Sequence, residues 1–96
     1  QIPNVAPGTV VETNAVFSRN SLQPVFAGSM EESVLSLAQP HIHGQKLVVE
    51  ASVTRDLAPA FKAFAANPLM TASMDDTKTL FKLMIKNTER YLEHYR

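Results

Sequence analysis

The hydrophobic period of this chain changes once, near Glu31, and that change restricts it to a mixed fold. Before Glu31 the pattern has a period of two. Val11, Thr13, Ala15 and Phe17 fall on one face of residues 9–18, and Val10, Glu12, Asn14 and Val16 on the other. Such alternation, rich in β-branched and aromatic residues, predicts a half-buried strand. Pro3 and Pro7, with Gly8, hold the entry segment extended and then turn it. Arg19-Asn20-Ser21 reads as a turn and Leu22–Ala27 as a second short strand. Pro24 lacks an N–H, which places that strand at a sheet edge or makes Pro24 its start. Gly28-Ser29 closes the hairpin-like unit.

After Glu31 the period is helical. Val34, Leu37, Ala38 and Ile42, then Val48, Val49 and Val53, recur at spacings that predict helix over about 31–54. Glu31 and Glu32 suit a helix N-terminus, where the dipole favours negative charge. Pro40 and Gly44 interrupt the stretch, so one bent helix or two short ones are expected. Asp56 is placed to cap a helix carrying Leu57, Phe61, Phe64 and Ala65, with Pro59 in its first turn and Asn67-Pro68 at its end. Ser73 with Asp76 three residues on resembles a capping box. The last helix should carry Leu80, Phe81, Met84, Ile85, Thr88, Tyr91, Leu92 and Tyr95 as one apolar stripe. The fold class expected is α+β, short antiparallel strands followed by three or four helices, in a single domain over 1–96.

Composition narrows the function. A hydrophobic content of 45% against 19% charged residues suits a packed chain rather than a disordered one. Nine basic and nine acidic side chains cancel, so nothing points to nucleic acid or an anionic membrane as partner. No apolar run approaches the roughly 20 residues that span a bilayer. The chain has no cysteine, which excludes disulfides and thiolate metal sites. Its opening, Gln1-Ile2-Pro3, lacks both an initiator Met and a signal-peptide pattern. A processed secreted protein could begin this way as readily as a fragment; balanced charge and the lack of cysteine favour the fragment, of a cytoplasmic protein.

Few residues suggest chemistry. His41-x-His43 is the one metal-like cluster, and such a pair shares a face on a strand but not on a helix. Surface or interface histidines are the competing reading. His94 suits a helix C-terminus. Glu12 and Asn14 could contact a substrate or line a solvated strand face. Glu50 reads as a salt-bridging or capping carboxylate, with no adjacent partner for acid/base work. Arg19-Asn20 could offer a bidentate fork to a phosphate or sugar carboxylate, or serve the turn alone. Phe61, Phe64, Phe81, Tyr91 and Tyr95 read as core rather than cofactor-stacking aromatics. Gly8 and Gly28 are isolated, so no phosphate-cradling loop is present.

Ile2-Pro3-Asn4-Val5-Ala6-Pro7, Val10-Val11-Glu12-Thr13-Asn14-Ala15-Val16-Phe17-Ser18-Arg19-Asn20 and Gln23-Pro24-Val25-Phe26-Ala27-Gly28, together with Gln45–Ala51 and Asn67-Pro68-Leu69, resemble the C-terminal domain of glycoside hydrolase family four. The wording of residues 12–19 is similar to a branch that includes galactosidase- and uronidase-like members. Many other members have Val-Pro at Thr13-Asn14, Gly at Ser21 and a carboxylate at Lys46. The resemblance implies the tail of an enzyme, part of a lobe like that of lactate and malate dehydrogenases. In that family NAD removes hydride from the sugar C3, a base takes the C2 proton, the glycosidic oxygen leaves from C1, and water and hydride return. A divalent cation, commonly manganese, supplies Lewis acidity.

The residues that hold cofactor, metal and base lie outside the matched region, so no catalytic, cofactor-binding or metal residue carries over. Asn14, Arg19, Asn20, His41 and His43 remain as candidates for a substrate cleft or subunit edge. The implied partners are the N-terminal dinucleotide-binding part of the same enzyme, a second copy in a homo-oligomer, and a sugar: an α-galactoside, a uronide or a phosphorylated glycoside. The segment alone should be inactive and self-associating. Two other readings are an interaction module using its last amphipathic helix, and a small metal carrier using His41 and His43.

Overall fold

The computed structural model describes residues 1–95. The chain resolves into two compact units, 1–38 and 39–96. The element order is β1 (Ala15–Phe17), β2 (Leu22–Pro24), α1 (Glu32–Thr54), α2 (Leu57–Ala65) and α3 (Met74–Thr88), then a 3-10 turn over Glu89–Tyr91. Two antiparallel strands followed by three helices match the α+β class that the change of period predicts.

In the first unit β1 and β2 form a hairpin in the register Ala15↔Pro24, Val16↔Gln23 and Phe17↔Leu22. One further rung extends it, the Val25 N–H donating to the Asn14 carbonyl at 2.9 Å. The strands are shorter than the alternation over 9–18 and 22–27 predicts. Continued by one more rung, the register would aim the Ala27 N–H at Glu12, but that N–H donates to the Gln1 carbonyl at 2.9 Å. The alternation survives without the ladder: Thr9, Val11, Thr13 and Ala15 are half-buried, whereas Val10, Glu12, Asn14 and Val16 are exposed. Phe17, expected to share the covered face, is 80% exposed.

The entry segment is tied down by one side chain. The Asn4 amide donates to the Met30 carbonyl at 2.7 Å, and its oxygen accepts from the Met30 N–H at 2.9 Å. A side-chain amide presents the same donor and acceptor as a peptide group, so Asn4 serves as one strand rung.

α1 runs unbroken through Pro40 and Gly44. Pro40 has no N–H for the Ser36 carbonyl, and a proline inside a helix costs about 3 kcal/mol. Of the two outcomes expected, one bent helix or two short ones, the chain forms a single helix. Its covered side also differs from the stripe expected from spacing. Leu35, Ala38, Ile42 and Leu47 are half-buried and Ala51 is buried. Val34, Leu37, Val48, Val49 and Val53 are exposed. Among the described residues, the backbone of α1 makes no close approach to the hairpin along its first turns or to α2 and α3 along its later ones.

The second unit is held by α2 on α3. Asp56 caps α2, its carboxylate accepting from the Ala58 N–H at 2.9 Å, and Ser73 caps α3, accepting from the Asp76 N–H at 3.2 Å. The Ser73 hydroxyl also donates to the Asp76 carboxylate at 2.7 Å. Phe61 meets Phe81 edge-on at 5.3 Å between ring centres, and Phe64 tilts against it at 5.5 Å. Pro59 of α2 and Thr77 of α3 are buried. The expected last helix stops early, at Thr88. The Thr88 hydroxyl donates to the Met84 and Ile85 carbonyls at 2.9 and 3.3 Å, and the chain goes on as the 3-10 turn, the Glu89 N–H donating to the Lys86 carbonyl. Tyr91 therefore leaves the core and stands exposed, with the Arg90 guanidinium 4.5 Å over its ring.

Between α1 and α2, Arg55 takes the left-handed conformation, with φ of 57°. A side chain there costs about 1 kcal/mol relative to glycine. Arg55→Gly is expected to stabilise the chain by about 0.5–1 kcal/mol, and Ser73→Ala to destabilise it by about 1 kcal/mol. Urea unfolding followed by circular dichroism reads both, as midpoints that move in opposite directions.

Candidate functional site

The hairpin tip holds the first group of candidates. The Ser18 N–H donates to the Ser21 carbonyl at 2.9 Å, and the two hydroxyls share a hydrogen bond of 2.6 Å. These bonds close the turn with neither Arg19 nor Asn20 in the left-handed region. Ser18 and Ser21, which the sequence did not single out, thus brace the turn that presents Arg19 and Asn20 to solvent. Arg19 is the one Lys or Arg in residues 1–45. Among the described residues no carboxylate lies within bridging distance of it. Asn14 sits at the other end of β1, exposed, its backbone closing the last rung. At about 3.3 Å per residue, Asn14 and Arg19 lie roughly 15 Å apart along the strand. The hairpin therefore carries Asn14, Arg19 and Asn20 without converging them on one point.

His41 and His43 are exposed on α1. Two positions on an α-helix are separated by about 200° of rotation, so their rings diverge. Among the described residues no group of three His, Asp or Glu side chains could hold a metal ion. Glu50, expected to pair or cap, is exposed, and no base bridges it among the described residues. The ion pair found is Lys78 with Asp75 at 3.9 Å, on the surface of α3.

A depression of about 200 Å³ lies in the first unit, lined by Gln1, Ile2, Val5, Pro7, Thr9 and Val11 among others. The Thr9 hydroxyl is buried there without a hydrogen-bond partner. The lining carries no acidic, basic or imidazole side chain, so it offers shape without chemistry. Among the described residues, no helix is long and apolar enough to cross a membrane.

These features give an α+β chain whose polar candidates sit on a braced hairpin and on one long helix. The chain belongs to the family 4 glycosyl hydrolase C-terminal domain family, whose model matches residues 1–70. Along its whole length it is 43% identical to an alpha-galacturonidase of Thermoanaerobacterium saccharolyticum, of which it covers 21%. It is 39% identical over 94 residues to an alpha-galacturonidase of Lachnoclostridium phytofermentans, covering 96% of this chain and 20% of that one. An alpha-galactosidase of Bacillus subtilis is 32% identical over 73 residues, 76% of this chain and 17% of that one. The chain thus spans about a fifth of the length of these curated relatives. No solved structure matches it.

Divergent histidines make a direct prediction. Calorimetric titration of the 96-residue chain with Mn²⁺ or Zn²⁺ is expected to show no stoichiometric uptake at micromolar metal, and His41→Ala to change nothing. A one-to-one isotherm abolished by His41→Ala would show that the two rings do meet on one ion.

Proposed function

We propose that this chain is the C-terminal structural and cleft-forming part of a glycosidase that hydrolyses α-galacturonides, using NAD and a divalent cation. The observation that carries the substrate is the 43% identity to an alpha-galacturonidase over all 96 residues, against 32% over 73 residues for an alpha-galactosidase. A uronide differs from a galactoside by a carboxylate in place of a hydroxymethyl group, so the difference between the two reactions is one of charge.

The residues present do not fit either cofactor. The three glycines stand apart at 8, 28 and 44, so no Gly-x-Gly turn is available for a dinucleotide. No metal set converges among the described residues. NAD and the cation, which we take to be manganese, belong to the N-terminal part of the polypeptide. Within the whole cytoplasmic enzyme this chain would complete a dehydrogenase-like C-terminal lobe and wall one side of the sugar cleft. Asn14, Arg19 and Asn20 are its candidates for that wall, with the unpaired Arg19 fork suited to a carboxylate. His41 and His43 would lie at a cleft or subunit edge. The exposed apolar residues of α1, and Leu80, Leu83 and Met84 of α3, would be covered by the N-terminal part and by a second copy.

The test is substrate preference in the full-length enzyme supplied with NAD⁺ and Mn²⁺. Its kcat/KM for 4-nitrophenyl α-galacturonide is expected to exceed that for the α-galactoside by at least about tenfold, or about 1.4 kcal/mol in the transition state. Chelation of the metal should abolish both activities. Preference for the galactoside, or turnover indifferent to chelator and NAD⁺, would contradict the proposal.

A further inference from the structure

The two edges of the hairpin are not equivalent. Asn14 pairs with Val25, Val16 with Gln23 and Ser18 with Ser21, so these residues turn their peptide groups inward. The intervening residues turn theirs outward: Thr13, Ala15 and Phe17 on β1, Leu22 and Pro24 on β2. On β2 the outer edge is blunted, because Pro24 has no N–H. On β1 nothing blunts it. Thr13, Ala15 and Phe17 all retain their donors, no hydrogen bond reaches those donors among the described residues, and the flanking side chains are uncharged apart from Glu12.

A second observation points the same way. The period-two alternation runs from Thr9 to Val16, yet the ladder with β2 covers little more than Ala15–Phe17. Residues 9–13 keep a strand's alternating burial with no strand beside them. Val10 is 84% exposed and Phe17 80% exposed, which an isolated hairpin gains nothing by displaying.

We propose that the outer edge of β1, from Thr13 to Phe17, is a docking edge for a further strand supplied by the part of the enzyme outside these 96 residues. The inference rests on the reading that this chain is the C-terminal part of a longer polypeptide. The chain spans about a fifth of its relatives' length, so most of the polypeptide is available to provide the strand. A tethered strand also has the advantage over a second copy. Covalent linkage gives it an effective concentration in the millimolar range, whereas a copy must be captured from solution. The docked strand would make the sheet order new strand–β1–β2. Blunted β2 would remain outermost.

Amide hydrogen exchange, resolved by residue, tests this in the full-length enzyme and in the 96-residue chain. In the full-length enzyme the Thr13, Ala15 and Phe17 amides are expected to exchange at least about 100-fold more slowly than in the chain alone. The outward amide of Leu22 should stay fast in both. Fast exchange at Thr13, Ala15 and Phe17 in the full-length enzyme would overturn the proposal. So would protection in the 96-residue chain that rises with its own concentration, since the partner would then be a second copy. Ala15→Pro removes a donor that bonds nothing within the chain. In the full-length enzyme it should release Thr13 and Phe17 while Val16 and Val25 stay protected; retained protection at Thr13 and Phe17 would count against the edge. If that variant fails to fold, the wild-type comparison decides alone. An active galacturonidase with fast edge amides would sink the docking edge and leave the proposed function standing; protected amides in an enzyme without that activity would do the reverse.

Discussion

Apolar side chains with nothing to lie against set the terms for this chain. Val34, Leu37, Val48, Val49 and Val53 stand exposed along α1, and Phe17 and Leu22 face each other across the last rung of the hairpin in water. Full burial of one such side chain is worth about 1.5–3 kcal/mol. A self-contained domain would arrange its elements to collect that energy. Here α1 makes no close backbone approach to another element among the described residues, and Ala51 is its one buried residue. Among the described residues, the fully buried ones are Ala51, Pro59 and Thr77. The cover is expected from outside, and the family assignment gives a reason, since about four-fifths of the relatives' length lies beyond the matched region.

Local chemistry was legible in the sequence wherever it depended on neighbours along the chain. Asp56 and Ser73 cap the helices that their positions announce, and Phe61, Phe64 and Phe81 pack together as aromatics read as core should. What depends on partners distant in sequence was not legible. The β1–β2 ladder stops short because Gln1, far from Ala27 in sequence, takes its N–H. The covered side of α1 could not be read from periodicity, because apolar residues occur on more than one of its faces. α3 stops at Thr88 although the apolar stripe continues beyond it. Asn4 carried a faint signal, an amide between two prolines, but its partner Met30 is 26 residues away.

The candidate site divides in the same manner. That His41 and His43 diverge follows from their lying on a helix, once the helix is known to pass through Pro40 unbroken. The exposure of Arg19 follows from a turn braced by Ser18 and Ser21, whose hydroxyl pairing no motif announces. Neither group constitutes an active site by itself. Membership in a glycosyl hydrolase C-terminal domain family explains how such residues can matter without converging. On the proposed reading, this chain contributes surfaces to a site whose reacting groups lie elsewhere in the polypeptide.

Reconstitution from two separately produced parts tests that division most directly. The 96-residue chain would be mixed with the remaining N-terminal polypeptide in the presence of NAD⁺ and Mn²⁺, and hydrolysis of an α-galacturonide followed. The account predicts that neither part is active alone and that activity appears on mixing, saturating at one-to-one stoichiometry. Full activity of the N-terminal part without this chain, or turnover by this chain alone, would contradict it.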